Sequence, residues 1–471
     1  MNAMEPKRLI RRVLGWIGWT VLILLILWVG LLAMVAYYQP NSFTAEQQTA
    51  LRLMNSDYYW RPANGVNAFP LLWYMGYDVP NNWLDKQMAV DVGKVKRQLS
   101  EDMVSINNKP DAVPLPELSK EEMAVLCDTS GKGCLAKVTA HPDAVRTVLA
   151  AHPALLARAQ IFEHTDFYWD EFPAYYRHSN KQSKQLSKEF IININRAQDL
   201  WLSSFALQYV NGDHGGALAA TCRHILAWRH MAYGSNSLFG STALVSTGMD
   251  LAIGLYAEML TDLPSDETVP DDCTVALQPV VAADVDRCAA LAGDFALTKS
   301  MIHNSRAAGN NSTTASRTNM IDLSQAEVWV AQILAASCGD HAVMRLLADE
   351  HPYRPSVRSF FGFPWTKGMA CVFNIRGCKL IAVAIPYYDG YDSLVLDNAA
   401  HLRLAATLLW LREHPGGSVS ERFEHRPAEL RSPHHKSGFD AKNNMLYVEN
   451  FDQEPAGENK QFSLPVAAAS Q

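Results

Sequence analysis

The chain has 471 residues, 48% of them hydrophobic and 19% charged, with a formal net charge of −7. This is a globular composition, with apolar material for one large core or several of ordinary size. The first 38 residues carry a net +3, which leaves −10 on the rest and argues against a nucleic-acid groove or an anionic-lipid platform.

Residues 1–12 form a basic tail with Lys7, Arg8, Arg11 and Arg12, and residues 13–38 carry no charge at all. At about 1.5 Å per residue a helix of that length spans a hydrocarbon core of about 30 Å with room to tilt. The first cation after it is Arg52, so the positive-inside bias places the N-terminus in the cytoplasm and exports the body. A cleaved signal peptide is the competing reading, but its apolar run is about 7–15 residues and ends in a small-x-small site. Cutting after Ala36 would put Met34 where a small residue is needed. Trp16 and Trp19 at one end, with Tyr37 and Tyr38 at the other, fit aromatic belts, while Gly15, Gly18 and Gly30 make no GxxxG seam.

Residues 39–105 read as a membrane-proximal, aromatic-rich segment. Thr44 and Gln47 have the spacing of a capping box for a helix over 45–54. Tyr58, Tyr59, Trp60, Phe69, Trp73, Tyr74, Tyr77 and Trp83 then crowd together with Pro62, Pro70 and Pro80. A collar packing its rings onto the body is the expected reading, and an aromatic groove for a peptide or glycan is the alternative. A helix over 83–100 precedes a linker, 106–119, in which Pro110, Pro114 and Pro116 preclude continuous helix.

Residues 120–414 read as a helical body. Pro142 and Pro153 stand where first-turn prolines belong. Apolar positions recur every three to four residues over 185–209, the helix stops at Asn211-Gly212, and another is predicted over 217–231. Further helices are predicted over 235–260, 279–297, 324–337, 341–350, 366–385 and 389–414, with a polar loop at 303–319. Residues 415–471 form a loop and a small β tail, a small sheet or hairpin, because Leu446 and Val448, then Phe462, Leu464 and Val466, alternate with period two. The expected fold is mostly α: a single N-terminal transmembrane helix, a helical-hairpin body of bundle or solenoid form, and a C-terminal β-hairpin.

The two helices around Asn211-Gly212 resemble one hairpin of the tetratricopeptide type, without a second copy at a period near 34. The helix over 401–414, Gly416-Gly417, and the run Ser432-Pro433-His434-His435-Lys436-Ser437-Gly438-Phe439 with two strands resemble the C-terminal part of pseudopilin-like modules, although the Asp and Thr of that family's turn are absent. More broadly, CLAKVTAHPDAVRTVLAAHPALLARAQ and WRHMAYGSNSL resemble inner-membrane-anchored helical proteins of Gram-negative bacteria. That resemblance implies architecture and a periplasmic body, and no activity.

Eight cysteines are present, and an oxidising compartment would permit bridges. Cys127 and Cys134 are the expected pair, because DTSGKG between them can turn back on itself. Cys222, Cys338, Cys371 and Cys378 read as small core residues, and no CxxC spacing supports zinc. The strongest enzyme-like patch is HTDFYWDEFPAYYRH, where Asp166, Asp170 and Glu171 sit among aromatic rings, as the acids of sugar-cleaving enzymes do. The alternative is a capped loop anchored by its rings. Residues 131–136 match G-x-G-x-x-A without a preceding strand. His214, His224 and His230 read as surface or helix-start residues, and Arg223 and Arg229 as partners of nearby acids. No catalytic, cofactor or metal site is expected. The expected partners are inner-membrane lipid, through 13–38, and an envelope protein, with no nucleic acid. The function expected is binding, as an envelope scaffold of a secretion or pilus-type assembly, with a periplasmic glycan-active hydrolase or an inhibitor or immunity protein as alternatives.

Overall fold

The computed structural model describes residues 6–38, 43–55, 64–100, 112–128, 133–172, 181–232, 234–310, 323–352, 375–451 and 461–467. The first helices are α1 (Pro6–Tyr38), α2 (Ala45–Met54), α3 (Ala68–Trp73), α4 (Leu84–Ser100), α5 (Lys120–Val125), α6 (Cys134–Ala140), α7 (Pro142–Ala151) and α8 (Pro153–Phe162). Then come α9 (Lys181–Val210), α10 (His214–Ala232), α11 (Val245–Asp262), α12 (Asp271–Ala276), α13 (Ala282–Val285) and α14 (Cys288–Asn310). The chain closes with α15 (Leu323–Ala335), α16 (Asp340–Leu347), α17 (Ile375–Glu413) and α18 (Val419–Glu424), followed by β1 (Ser437–Asp440), β2 (Met445–Glu449) and β3 (Gln461–Pro465).

Local chemistry starts and stops these helices as the sequence predicts. Both halves of the Thr44/Gln47 capping box form, at 3.2 and 3.0 Å. Pro142 and Pro153 occupy the first turns of α7 and α8. Helix α9 ends at Gly212, whose φ of +92° suits glycine, and the Asp213 carboxylate accepts the Gly216 N–H at 3.0 Å to open α10. The helical hairpin thus forms, with α9 and α10 packed together.

Four expectations are corrected. The predicted helix 279–297 is broken, because the Asp286 carboxylate accepts the Cys288 N–H at 2.9 Å and caps a fresh helix, α14, that runs on to Asn310 into the stretch read as polar loop. The last helical pair is one helix: α17 continues through Pro386 and Gly390 without a turn, and 366–374 lie outside the described residues. The predicted helix 235–260 opens with a π turn over Phe239–Leu244 before α11. The tail is a three-stranded antiparallel meander, not a hairpin, in the order β1-β2-β3, because Ser437–Asp440, read as part of a turn, pairs with β2.

The main core lies where α9, α10, α11 and α17 meet, and Trp201, Trp228, Phe162 and Tyr256 are fully buried there. The sheet joins this core through Leu446, Val448, Leu464 and Val466. Phe69 and Tyr74 of the collar are buried in it as well, so that part of the aromatic segment packs onto the body; 56–63 lie outside the described residues. A second cluster joins Ala50 and Met54 of α2 to α14 and α15.

Cysteine pairs at bonding distance are Cys127–Cys134, Cys222–Cys273 and Cys288–Cys338. The first was expected. Cys222 and Cys338 were read as plain core residues, and their partners lie 51 and 50 positions away, a separation that no local spacing reveals. Loops of that size correspond to about 4 kcal/mol each in the chain-entropy picture. Cys371 lies outside the described residues, as does the side chain of Cys378.

The described side chains of α1, residues 15–31, are all exposed, with Trp16 79% and Leu25 54% accessible. Among the described residues two helices are long and apolar enough to cross a membrane, Phe239–Asp262 and Gly390–Glu413, with 67% and 89% of their apolar windows buried in the body, while Gly15–Leu31 of α1 is a shorter apolar stretch.

Close backbone approach explains one helical glycine and leaves another open. A Cβ on Gly293 of α14 would lie 2.0 Å from the Asn236 carbonyl oxygen, whereas one on Gly93 of α4 would meet nothing within 4 Å. Gly293→Ala should therefore destabilise by about 1–3 kcal/mol, and Gly93→Ala should stabilise by up to about 1 kcal/mol. Chemical denaturation of the two variants checks this; equal effects would contradict the packing at Asn236.

Candidate functional site

A cleft of about 950 Å³ opens between α6, the α9–α10 turn, α11 and the sheet. Leu135, Ala136 and Ala140 form one wall, Tyr209 and His214 a second, and Met445 with Pro465 a third, while Glu258 and Asp262 of α11 supply its acids.

Each polar group named here has an internal partner. Glu258 accepts the N–H groups of Gly133 and Leu135, at 2.5 and 2.8 Å, and so fixes the start of α6. Burial pushes its carboxyl above the usual range, against the opposing pull of those backbone donors. Tyr209 donates its hydroxyl to the Met259 carbonyl at 3.1 Å, and burial, with Asp262 and Glu267 nearby, raises its pKa. His214 pairs with Glu267 at 2.9 Å. Thr139 and Thr261 donate to the carbonyls of Leu135 and Pro465. These groups are engaged with the backbone and with one another around the cleft.

The sheet is held over the cleft by two buried histidines. His435 lies between Asp349, at 2.7 Å from Nδ1, and Asp397 of α17, at 2.9 Å from Nε2. Two carboxylate partners call for both ring nitrogens to donate, which is the imidazolium form. Burial alone would lower its pKa, but the hydrogen bonds and charges of Asp349 and Asp397 outweigh that and raise it. Asp349 stands at φ +64° and also accepts the backbone N–H groups of His434 and His435 at 2.9 and 3.0 Å. His401 of α17 contacts Asp250 of α11 at 2.7 Å and Asn450 at 3.0 Å, and stacks on Phe462 of the sheet. Burial opposes the charged form, and Asp250, Asn450 and Asp397 together raise the pKa of His401.

His224, read as a surface residue, lies instead in the core among Phe162, Trp201, Phe205 and Trp228. The tertiary packing of α9 on α10 decides this. Burial pushes its pKa down to about 3, which keeps the ring neutral. His214 does start a helix, and His230 faces the Thr165 carbonyl at 3.3 Å. Arg223 pairs with Glu163 at 2.8 Å, and Arg229 with Asp284 at 2.6 Å, as partners of acids.

The acids singled out in the sequence do not line the cleft. Asp166 accepts the Val66 N–H at 2.8 Å, Asp170 accepts the Phe172 N–H at 2.9 Å, and Glu171 accepts an amide hydrogen of Asn67 at 3.1 Å. They brace the crossing of 64–69 with 165–171, where Asn67 and Phe167 form a parallel bridge. Gly65 permits that crossing, since its φ is +108° and a Cβ would lie 2.8 Å from the Asp166 carboxylate. Among the described residues no group of three or more His, Cys, Asp or Glu is placed to hold a metal ion. Gly133 of the G-x-G-x-x-A run stands at the N-cap of α6, with no strand before it among the described residues.

Glu258 and Asp250 did have a sequence signal, as charges inside the apolar run of α11. The cleft itself had none, because its walls come from four separate stretches. No protein-family model, no curated protein and no solved structure matches the chain.

A pH dependence follows from the histidines. Groups whose folded pKa is raised contribute stability that is full below their unfolded value, 6.5 here, and is lost as pH rises through the folded value. His224, shifted the other way, loses its contribution as pH falls from 6.5 towards about 3. The thermal midpoint should therefore fall on the alkaline side, and His435→Gln should flatten that fall. An NMR titration in which His435 deprotonates below 6.5 would refute the pairing with Asp349 and Asp397.

Proposed function

We propose that this is a single-pass, membrane-anchored binding protein whose helical body faces an oxidising, extracytoplasmic space and holds an envelope protein partner in the cleft beside α6. In a Gram-negative cell this is the inner membrane with a periplasmic body. The observation that carries the binding reading is the cleft, whose named polar groups are tied to internal partners while its apolar walls stay open. The acids Glu258 and Asp262 favour an extended segment bearing Lys or Arg. A volume of about 950 Å³ suits a few residues of such a segment.

The placement rests on α1 and on the cysteines. Seventeen exposed residues in a row on α1, among them Trp16, Trp19, Leu25 and Trp28, are costly in water and stable in hydrocarbon. The cations Lys7, Arg8, Arg11 and Arg12 precede them, which favours a cytoplasmic N-terminus. Three cysteine pairs at bonding distance fit a compartment where disulfides persist.

Two measurements test the reading. A topology reporter fused after Gln471 should be active only when exported; activity in the cytosol would overturn the placement. A photo-crosslinking residue at Ala136, which is exposed and lines the cleft, should give in cells an adduct of defined mass that the same residue at Met344 does not. A second copy of the protein carrying Ala136→Trp should not compete for that partner, while the unaltered copy should. Equal competition by both would remove the cleft from the interface.

A further inference from the structure

The outer face of α4 carries a pattern that neither the core nor the cleft uses. Leu84, Met88, Asp91 and Val95 are buried on one side of this helix, with Asp91 accepting the Tyr74 hydroxyl at 2.7 Å. On the other side Trp83, Lys86, Val90, Lys94 and Arg97 recur every three or four residues, which places them in one stripe. Trp83 and Val90 are each 51% exposed, and Lys86 and Arg97 are exposed beside them. The Lys86 ammonium sits 4.4 Å from the centre of the Trp83 ring. Asp85, the one acid exposed on this helix, lies off the stripe. The stripe is therefore cationic and apolar on a chain whose part beyond residue 38 carries −10.

We propose that this face of α4 lies on the surface of an anionic phospholipid bilayer, with Trp83 and Val90 in the headgroup–acyl boundary and Lys86 and Lys94 against lipid phosphates. Charge complementarity selects the occupant: an anionic surface attracts Lys and Arg, Trp prefers the interface, and lysine stems cover apolar surface while their heads stay in water. The overall negative charge disfavours a broad lipid platform, and a single helical stripe answers this by contacting lipid along one line. This inference rests on α1 being a membrane anchor, which would hold α4 at high effective concentration near the lipid and let a weak contact persist.

The test uses the full chain reconstituted in nanodiscs of phosphatidylcholine alone or mixed with phosphatidylglycerol, with brominated acyl chains as quencher. A genetically encoded fluorescent residue replaces Val90, or Met344 as a control that is 63% exposed on α16. Quenching at position 90 and not at 344, in the anionic discs only, is the expected result. Lys86→Glu with Lys94→Glu should abolish it, as should raising salt from about 0.1 to about 1 M, which shortens the screening length from about 10 to about 3 Å. If the chain resists alkaline extraction from the discs while position 90 is no more quenched than position 344, this inference fails and the anchor reading stands. If the chain does not insert at all, both fail. Protection of position 90 in native envelope but not in lipid discs would assign the stripe to a protein and overturn the lipid assignment.

Discussion

Backbone carbonyls at helix ends and in tight connections have to be satisfied wherever the chain is buried, and in this protein arginines do much of that. Arg158 of α8, fully buried, donates to the carbonyls of Tyr74, Met75, Tyr77 and Val79 at 2.6 to 3.1 Å. Arg229 gathers Ala276, Gln278 and Pro279 while pairing with Asp284. Arg412 collects Leu260 in the last turn of α11 and Leu263, Pro264 and Glu267 beyond it, and Arg422 reaches Leu411 and His414 at the end of α17. An unsatisfied buried carbonyl costs on the order of 1–3 kcal/mol, and the planar five-donor fork of arginine can serve several at once where lysine cannot. Burial pulls the Arg158 pKa down to about 10, which still leaves it charged at neutral pH.

These clamps explain how the connections between helices hold a single arrangement. Arg158 fixes the collar to α8, Arg229 fixes the segment after α12 to α10, and Arg412 fixes the segment after α11 to α17. The third clamp shapes the candidate site, because it sets the exit of α11 next to Glu267, which holds His214 at the cleft wall. His401 and His435 then help bind the C-terminal sheet to α11 and α17, alongside the apolar contacts of Leu446, Val448, Leu464 and Val466.

The acidic aromatic patch at 164–178 shows how a chemical pattern and a structural need can coincide. Asp166, Asp170 and Glu171 are placed by hydrogen bonds to the backbone and to Asn67, and the neighbouring rings of Tyr168 and Phe172 pack on Phe69. The same residue types that would suit sugar chemistry serve here to cross two loops. The cleft draws on different acids, Glu258 and Asp262, in a helix otherwise devoted to the core.

Periodicity and local capping were sufficient to read most helices, the α9–α10 hairpin, the apolar α1 and the Cys127–Cys134 pair, because each depends on residues within a few positions of one another. The break before α14 and the continuity of α17 differ from the reading of the sequence, since a single capping aspartate starts α14 afresh and the backbone of α17 stays helical through Pro386. The two long-range cysteine pairs, the buried position of His224, the clamps and the cleft were decided only by the tertiary structure. Their partners lie tens to hundreds of residues apart, and no pattern within one stretch records which distant carbonyl, carboxylate or thiol will be brought alongside.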